Sequence, residues 1–135
     1  MKKALTVFLL LFLSSALWAQ DIQSASLKWS VSQLNDLSTG SIKAYTCDFK
    51  TSSAQEIIWV QKSITYDFLI TDIIGTWPDV QISGEITYEV LLDGESGTLA
   101  FKRTNSGVFI TLDLSQAGGP RLRRSYSVSA VSSSN

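Results

Sequence analysis

Apolar and polar residues alternate one by one along most of this chain, most regularly over residues 80–92. There Val80, Ile82, Ile86, Tyr88, Val90 and Leu92 fall on one parity with Gly84, and Gln81, Ser83, Glu85, Thr87 and Glu89 fall on the other. Successive side chains of a strand point to opposite faces, so the spacing predicts a strand with one apolar side. A helix would scatter the same residues around its circumference. Gly84 has no side chain to pack and marks a bulge or bend within the run. Residues 93–97 read as a turn. Leu99 and Phe101 then alternate with Ala100 and Lys102, and Asn105-Ser106-Gly107 is a hairpin signal with glycine at the left-handed position. Val108, Ile110, Leu112 and Leu114 form the next apolar face. After a turn over residues 116–120, Leu122, Arg124, Tyr126, Val128 and Ala130 share another. Residues 80–131 therefore predict four antiparallel strands joined by short loops.

The first half is less regular. Leu27, Trp29 and Val31 alternate with Lys28, Ser30 and Ser32, which predicts a strand. Residues 33–40 contain Asn, Asp, Ser, Thr and Gly and read as a turn or a single helical turn. Residues 42–49 predict a second strand, broken by residues 51–54. The unbroken apolar run Ile57-Ile58-Trp59-Val60 predicts a central strand covered on both faces. Residues 61–63 turn. Ile64, Tyr66, Phe68 and Ile70 resume the alternation, and the run extends through Ile73 and Ile74 to Trp77, where Pro78 stops it. About seven to nine short strands, roughly a dozen residues apart, point to a single all-β domain, either an antiparallel β-sandwich or a small up-and-down β-barrel.

The beginning of the chain follows another rule. Met1-Lys2-Lys3 precedes an apolar run over residues 4–13, and small residues then lead to Ala19 and Gln20. This is the layout of a bacterial secretory signal peptide, with cleavage expected between Ala19 and Gln20. The apolar core is shorter than the ~20 residues of a spanning helix, so an uncleaved anchor is the weaker alternative. The expected organisation is a signal peptide at 1–19, an all-β domain at 20–131 and a short polar tail at 132–135. No stable membrane span is expected after cleavage, and the expected location is the periplasm or the extracellular space.

Composition narrows the chemistry. The sequence has no His and one Cys, which excludes His-based catalytic triads, His-ligated metals and an internal disulfide framework. Without Lys2 and Lys3 the chain holds 9 basic and 12 acidic residues, a net charge of −3 and a poor match to nucleic acid. Arg121, Arg123 and Arg124 form the one dense basic cluster, read as a solvated strand face with an anion site as the other reading. Cys47 shares a face with Tyr45 and Phe49 and is expected to be buried, with an intermolecular disulfide as the alternative. Asp67 with Asp72, or Glu85 with Glu89, are candidate carboxylate pairs, but Glu85 and Glu89 lie ~13 Å apart along a strand, too far for acid–base work on a glycoside. Asp93-Gly94-Glu95 is a weak match to Ca²⁺, which takes ~6–8 oxygen ligands. No metal, cofactor or catalytic residue is expected.

The aromatic residues are the better lead. Trp29 and Trp59 sit among apolar neighbours and are expected in the core. Trp77, beside Pro78 at a strand end, is the ring expected to be most exposed and the candidate ligand-binding residue. Gly75-Thr76-Trp77 resembles the Gly-x-Trp element of lipocalins. In that family the element lies on the first strand; here it falls mid-chain and runs straight into Pro78, so the three matching residues carry no residue roles with them. The resulting expectation is an exported, non-enzymatic β domain with a binding or structural role at the cell envelope. Its partner would be a small apolar ligand, a carbohydrate or an envelope protein. A small secreted carboxylate-dependent hydrolase and a small outer-membrane β-barrel are the alternatives.

Overall fold

The computed structural model describes residues 21–134, so the expected signal peptide and its cleavage point at Ala19 and Gln20 lie outside the described residues. Eight strands follow one another: β1 (Leu27–Asp36), β2 (Ile42–Thr51), β3 (Glu56–Gln61), β4 (Ile64–Ile74), β5 (Gly84–Leu92), β6 (Glu95–Thr104), β7 (Gly107–Leu114) and β8 (Leu122–Ser133). Each pairs antiparallel with the next. β8 returns to β1, from Asp36↔Arg124 to Leu27↔Ser133, and closes the sheet into a barrel. Closure decides the choice between sandwich and barrel, and it satisfies edges that an open sheet leaves bare.

With eight strands a barrel interior is just wide enough for side chains to fill it. Trp29, Phe49, Phe68, Phe101 and Tyr126 are fully buried there. Their rings interlock: Trp29 and Phe101 lie 4.9 Å apart between centroids, Phe49 stacks on Trp59 at 5.4 Å, and Tyr126 meets Phe49 edge-on at 5.4 Å. Buried aromatic rings of this kind contribute ~150–250 Å² of hidden surface each. The run 57–60 covers one face only. Ile57 and Trp59 point inward and are buried, whereas Ile58 and Val60 are half-buried on the wall, because a single-layered barrel has no second face to cover.

Three register shifts account for most of the irregular sequence. β1 runs on to Asp36 through residues expected to turn, since a shift between Val31 and Gln33 advances the phase by one and brings Leu34 back inward. β4 shifts between Ile70 and Asp72. Across β8 a shift opposite Ser30 and Val31 restores inward packing at Val131, so Ser132 and Ser133 continue the strand rather than forming a tail. Such bulges bend a strand and tighten its twist, which closing a small barrel requires.

The β5–β6 hairpin turns on Asp93 and Gly94 alone, both at positive φ (49° and 82°), and Leu92 pairs with Glu95. The β6–β7 hairpin turns on Asn105-Ser106, with Gly107 (φ 141°) already paired to Thr104; the expected loop was one residue longer.

Residues 75–83, expected to be largely strand, instead fold across one end of the barrel. Trp77, expected to be exposed, is fully buried: its ring lies 5.7 Å from Trp29, and its Nε1 donates to the Ile82 carbonyl at 3.0 Å. Ile22 is buried beside it, with its backbone N–H donating to the Trp77 carbonyl. Arg103 Nε donates to the Val80 carbonyl at 2.8 Å and fastens the loop to β6. Ile82 is left facing solvent, against its expected place on the apolar face. The Gly-Thr-Trp element thus belongs to a plug between β4 and β5 and not to a first strand.

Candidate functional site

The other end of the barrel carries the β1–β2, β3–β4, β5–β6 and β7–β8 turns, and its wall is incomplete on one side. β2 has 10 residues and β3 has 6. Their ladder covers only Asp48↔Val60, Phe49↔Trp59 and Lys50↔Ile58. Beyond Cys47 toward its start, β2 pairs with β1 alone among the described residues, and the Lys62-Ser63 turn ends β3 early. The two strands splay, and a cleft of 850 Å³ occupies the gap. Tyr45, Cys47, Val60 and Ile64 give it an apolar wall, and Lys43 and Lys62 stand at its rim.

Behind Tyr45 and Cys47 the barrel holds polar groups without partners. Trp59 Nε1, the Tyr126 hydroxyl and Arg124 Nε are all buried and complete no hydrogen bond of good geometry, although Arg124 lies against the Tyr126 hydroxyl and Trp59 against the Cys47 thiol. Arg124 faces inward because β8 alternates: opposite β7 it pairs with Leu112, and it shares its face with Leu122 and Tyr126. The Tyr126 ring lies 6.0 Å from Tyr45 and 5.8 Å from Trp59. Burial pushes the Tyr126 hydroxyl pKa well up, against an opposing pull from nearby Arg124. Burial also raises Tyr45, with a smaller push from Cys47. The Cys47 thiol is pushed up to about 11, again mainly by burial, with Trp59 drawing it back. A buried polar group without a partner costs ~1–3 kcal/mol, more when charged, so three at one place mark a site that gains from an occupant.

The basic cluster at the start of β8 divides accordingly. Arg121 and Arg123 point outward and share Asp113, at 2.7 Å and 3.9 Å. Arg124 turns inward and forms no ion pair among the described residues. The sequence signal for it was its parity with Leu122 and Tyr126; nothing in composition shows that a cation on an apolar face lacks an acid.

The carboxylates stay on the outer wall. Glu85 lies 3.8 Å from Lys102, and Glu89, Asp67 and Asp72 are exposed. Glu56 neighbours Asp67 across β3 and β4, and a hydrogen bond with Asp67, helped by its charge, raises the Glu56 pKa. That pair faces solvent. No group of three His, Cys, Asp or Glu residues is placed to hold a metal among the described residues. A second cavity, of 400 Å³, lies at the plugged end, where Gln23, Ser52, Asp72 and Tyr88 line it and the buried Tyr88 hydroxyl has no hydrogen-bond partner. Trp77 lines neither cavity. No helix among the described residues is long and apolar enough to cross a membrane. Comparison with protein-family models, curated proteins and solved structures found no match.

Proposed function

We propose that this chain is an exported, non-catalytic barrel that binds a small molecule in the cleft between β2 and the β3–β4 hairpin, in the periplasm or outside the cell. The observation that carries the reading is the 850 Å³ cleft backed by buried polar groups without partners, in a barrel whose opposite end is plugged. Ligand cavities typically span ~300–1,000 Å³, mostly apolar with a few converging polar groups, and this one has that make-up. An apolar interior with Lys28, Lys50, Glu85 and Lys102 on the wall argues for a barrel in water, since barrels in outer membranes place their apolar band outward. The outward, exposed placement of the carboxylates favours binding over hydrolysis.

Native mass spectrometry of the protein purified from the periplasm or medium tests the reading. The expected spectrum shows a chain beginning at Gln20 with an added small-molecule mass that leaves on mild activation. A processed chain that is always bare, and whose tryptophan fluorescence is unmoved by any of a panel of amphipathic molecules, would contradict it.

A further inference from the structure

We infer that the cleft takes a singly charged organic acid with an apolar body, whose carboxylate is received by Arg124, Tyr126 and Trp59. The inference rests on the binding reading above and adds the chemical class of the ligand.

Arg124 is the starting point. A guanidinium turned toward the inside of a barrel is costly unless it is paired, because burial strips its hydration. The acids nearest in register are committed elsewhere. Asp36, its partner on β1, accepts from the backbone N–H groups of Ser38 and Thr39 at 2.9 and 3.4 Å and so points into the β1–β2 turn. Asp113 is held on the outer face by Arg121 and Arg123. The half-buried Arg124 thus turns its buried Nε inward against the Tyr126 hydroxyl, while both neighbouring anions point away from it.

Tyr126 lies against Arg124, and Trp59 lies next in turn, 5.8 Å from Tyr126 between ring centroids. Trp59 Nε1–H can only donate, and the Tyr126 hydroxyl can donate to an acceptor that arrives. A carboxylate accepts at both oxygens and matches the arginine fork, whereas a neutral alcohol or amide would leave the cation uncompensated. One guanidinium with two neutral donors balances a single negative charge, which favours a carboxylate over a phosphate dianion. Lys43 and Lys62 at the rim outnumber Asp48, so the mouth also attracts anions.

The apolar body has its place in the cleft, against Cys47, Val60 and Ile64. Tyr45 stands between the two regions: it lines the cleft, it is half-buried, and its ring centroid is 6.0 Å from that of Tyr126. Cys47, beside it on the cleft wall, lies against Trp59, so the two lining residues are the ones that adjoin the donors behind.

The test titrates the full processed protein with dodecanoate below its micellar range and with dodecanol below its solubility limit, by calorimetry and by tryptophan fluorescence. Dodecanoate is expected to bind at least about tenfold more tightly, the usual worth of a hydrogen-bonded charge. Arg124→Gln is expected to weaken dodecanoate binding about tenfold and so erase the preference for the acid, and Tyr126→Phe to reduce it. Equal binding of acid and alcohol by the native protein overturns the inference and leaves the binding reading standing; binding of neither overturns the inference, and the native mass spectrum then decides the binding reading separately. The comparison on the native protein decides the matter even if Arg124→Gln does not fold.

Discussion

Gly84 shows how a single residue can be constrained from a distance. A Cβ built there would lie 2.3 Å from Trp77 Cδ1 and 2.5 Å from its Nε1, far inside contact distance. The ring cannot yield, being pressed on Trp29 and bonded to the Ile82 carbonyl. Gly84→Ala is therefore expected to destabilise the protein by ~1–3 kcal/mol, the usual cost of overpacking, and to loosen the plug. Urea unfolding measures the loss, and faster proteolysis within residues 75–83 would locate it. Gly94→Ala, at a turn position with open space around it but φ of 82°, separates the two effects: it strains the backbone and leaves the plug resistant. The burial of Trp77 is hidden in the sequence for a related reason. A tryptophan before a proline at a strand end looks exposed locally, and its burial depends on a loop that folds back over the barrel end. Cys47 was legible because its burial follows from parity with Phe49 alone. At 4% exposure and with its pKa raised to about 11, the thiol should react slowly with a disulfide reagent at pH 8 and quickly in denaturant. Fast labelling of the folded protein would show that the cleft floor is open.

Strands were read well wherever the alternation ran unbroken, and poorly wherever a bulge changed its phase. β5, β6 and β7 show one parity from end to end, and their pairings, such as Ile86↔Phe101 and Phe101↔Ile110, connect inward residues on both sides. In β1 the phase changes after Val31, so Leu34 falls on the wrong parity and its polar neighbours suggest a turn. The information missing from the sequence is the partner strand, because a bulge is a property of two strands together. The cleft has the same origin: it reflects the mismatch between a long β2 and a short β3, and neither length is visible in isolation. Lys62 sets where β3 ends and holds φ of 48°, a left-handed conformation that costs a residue with a Cβ ~1–2 kcal/mol. Lys62→Gly is expected to regain about half to all of that cost, read as a higher midpoint in urea, with the wall of the cleft unchanged. A fall in stability would mean that the turn is held by contacts of the lysine stem rather than opposed by its backbone.

For the molecule as a whole, closing the barrel forces every inward polar group to share one apolar interior, and this couples folding to alkaline pH. Cys47, Tyr88 and Tyr126 all have pKa values raised above their ordinary ones, in each case chiefly by burial. The folded chain therefore keeps these protons to higher pH than the unfolded chain does. Between about pH 8.5, where a free thiol is half ionised, and the region above 11, the unfolded state binds fewer protons than the folded one, so stability falls as pH rises. Below that window the contribution is fully present and flat. The expected result is a melting temperature steady from pH 7 to 8 that drops progressively toward pH 11. Cys47→Ala should lower stability by a roughly constant amount at neutral pH and flatten the early part of the alkaline fall, since it removes the first of the three groups to titrate in the unfolded chain. Tyr126→Phe should flatten the later part, and Glu56→Gln, on the exposed outer wall, should leave the alkaline limb as it is. An alkaline profile identical in Cys47→Ala and the native protein would place the thiol in contact with water in the folded state, and the cleft would then be deeper than its apolar floor indicates.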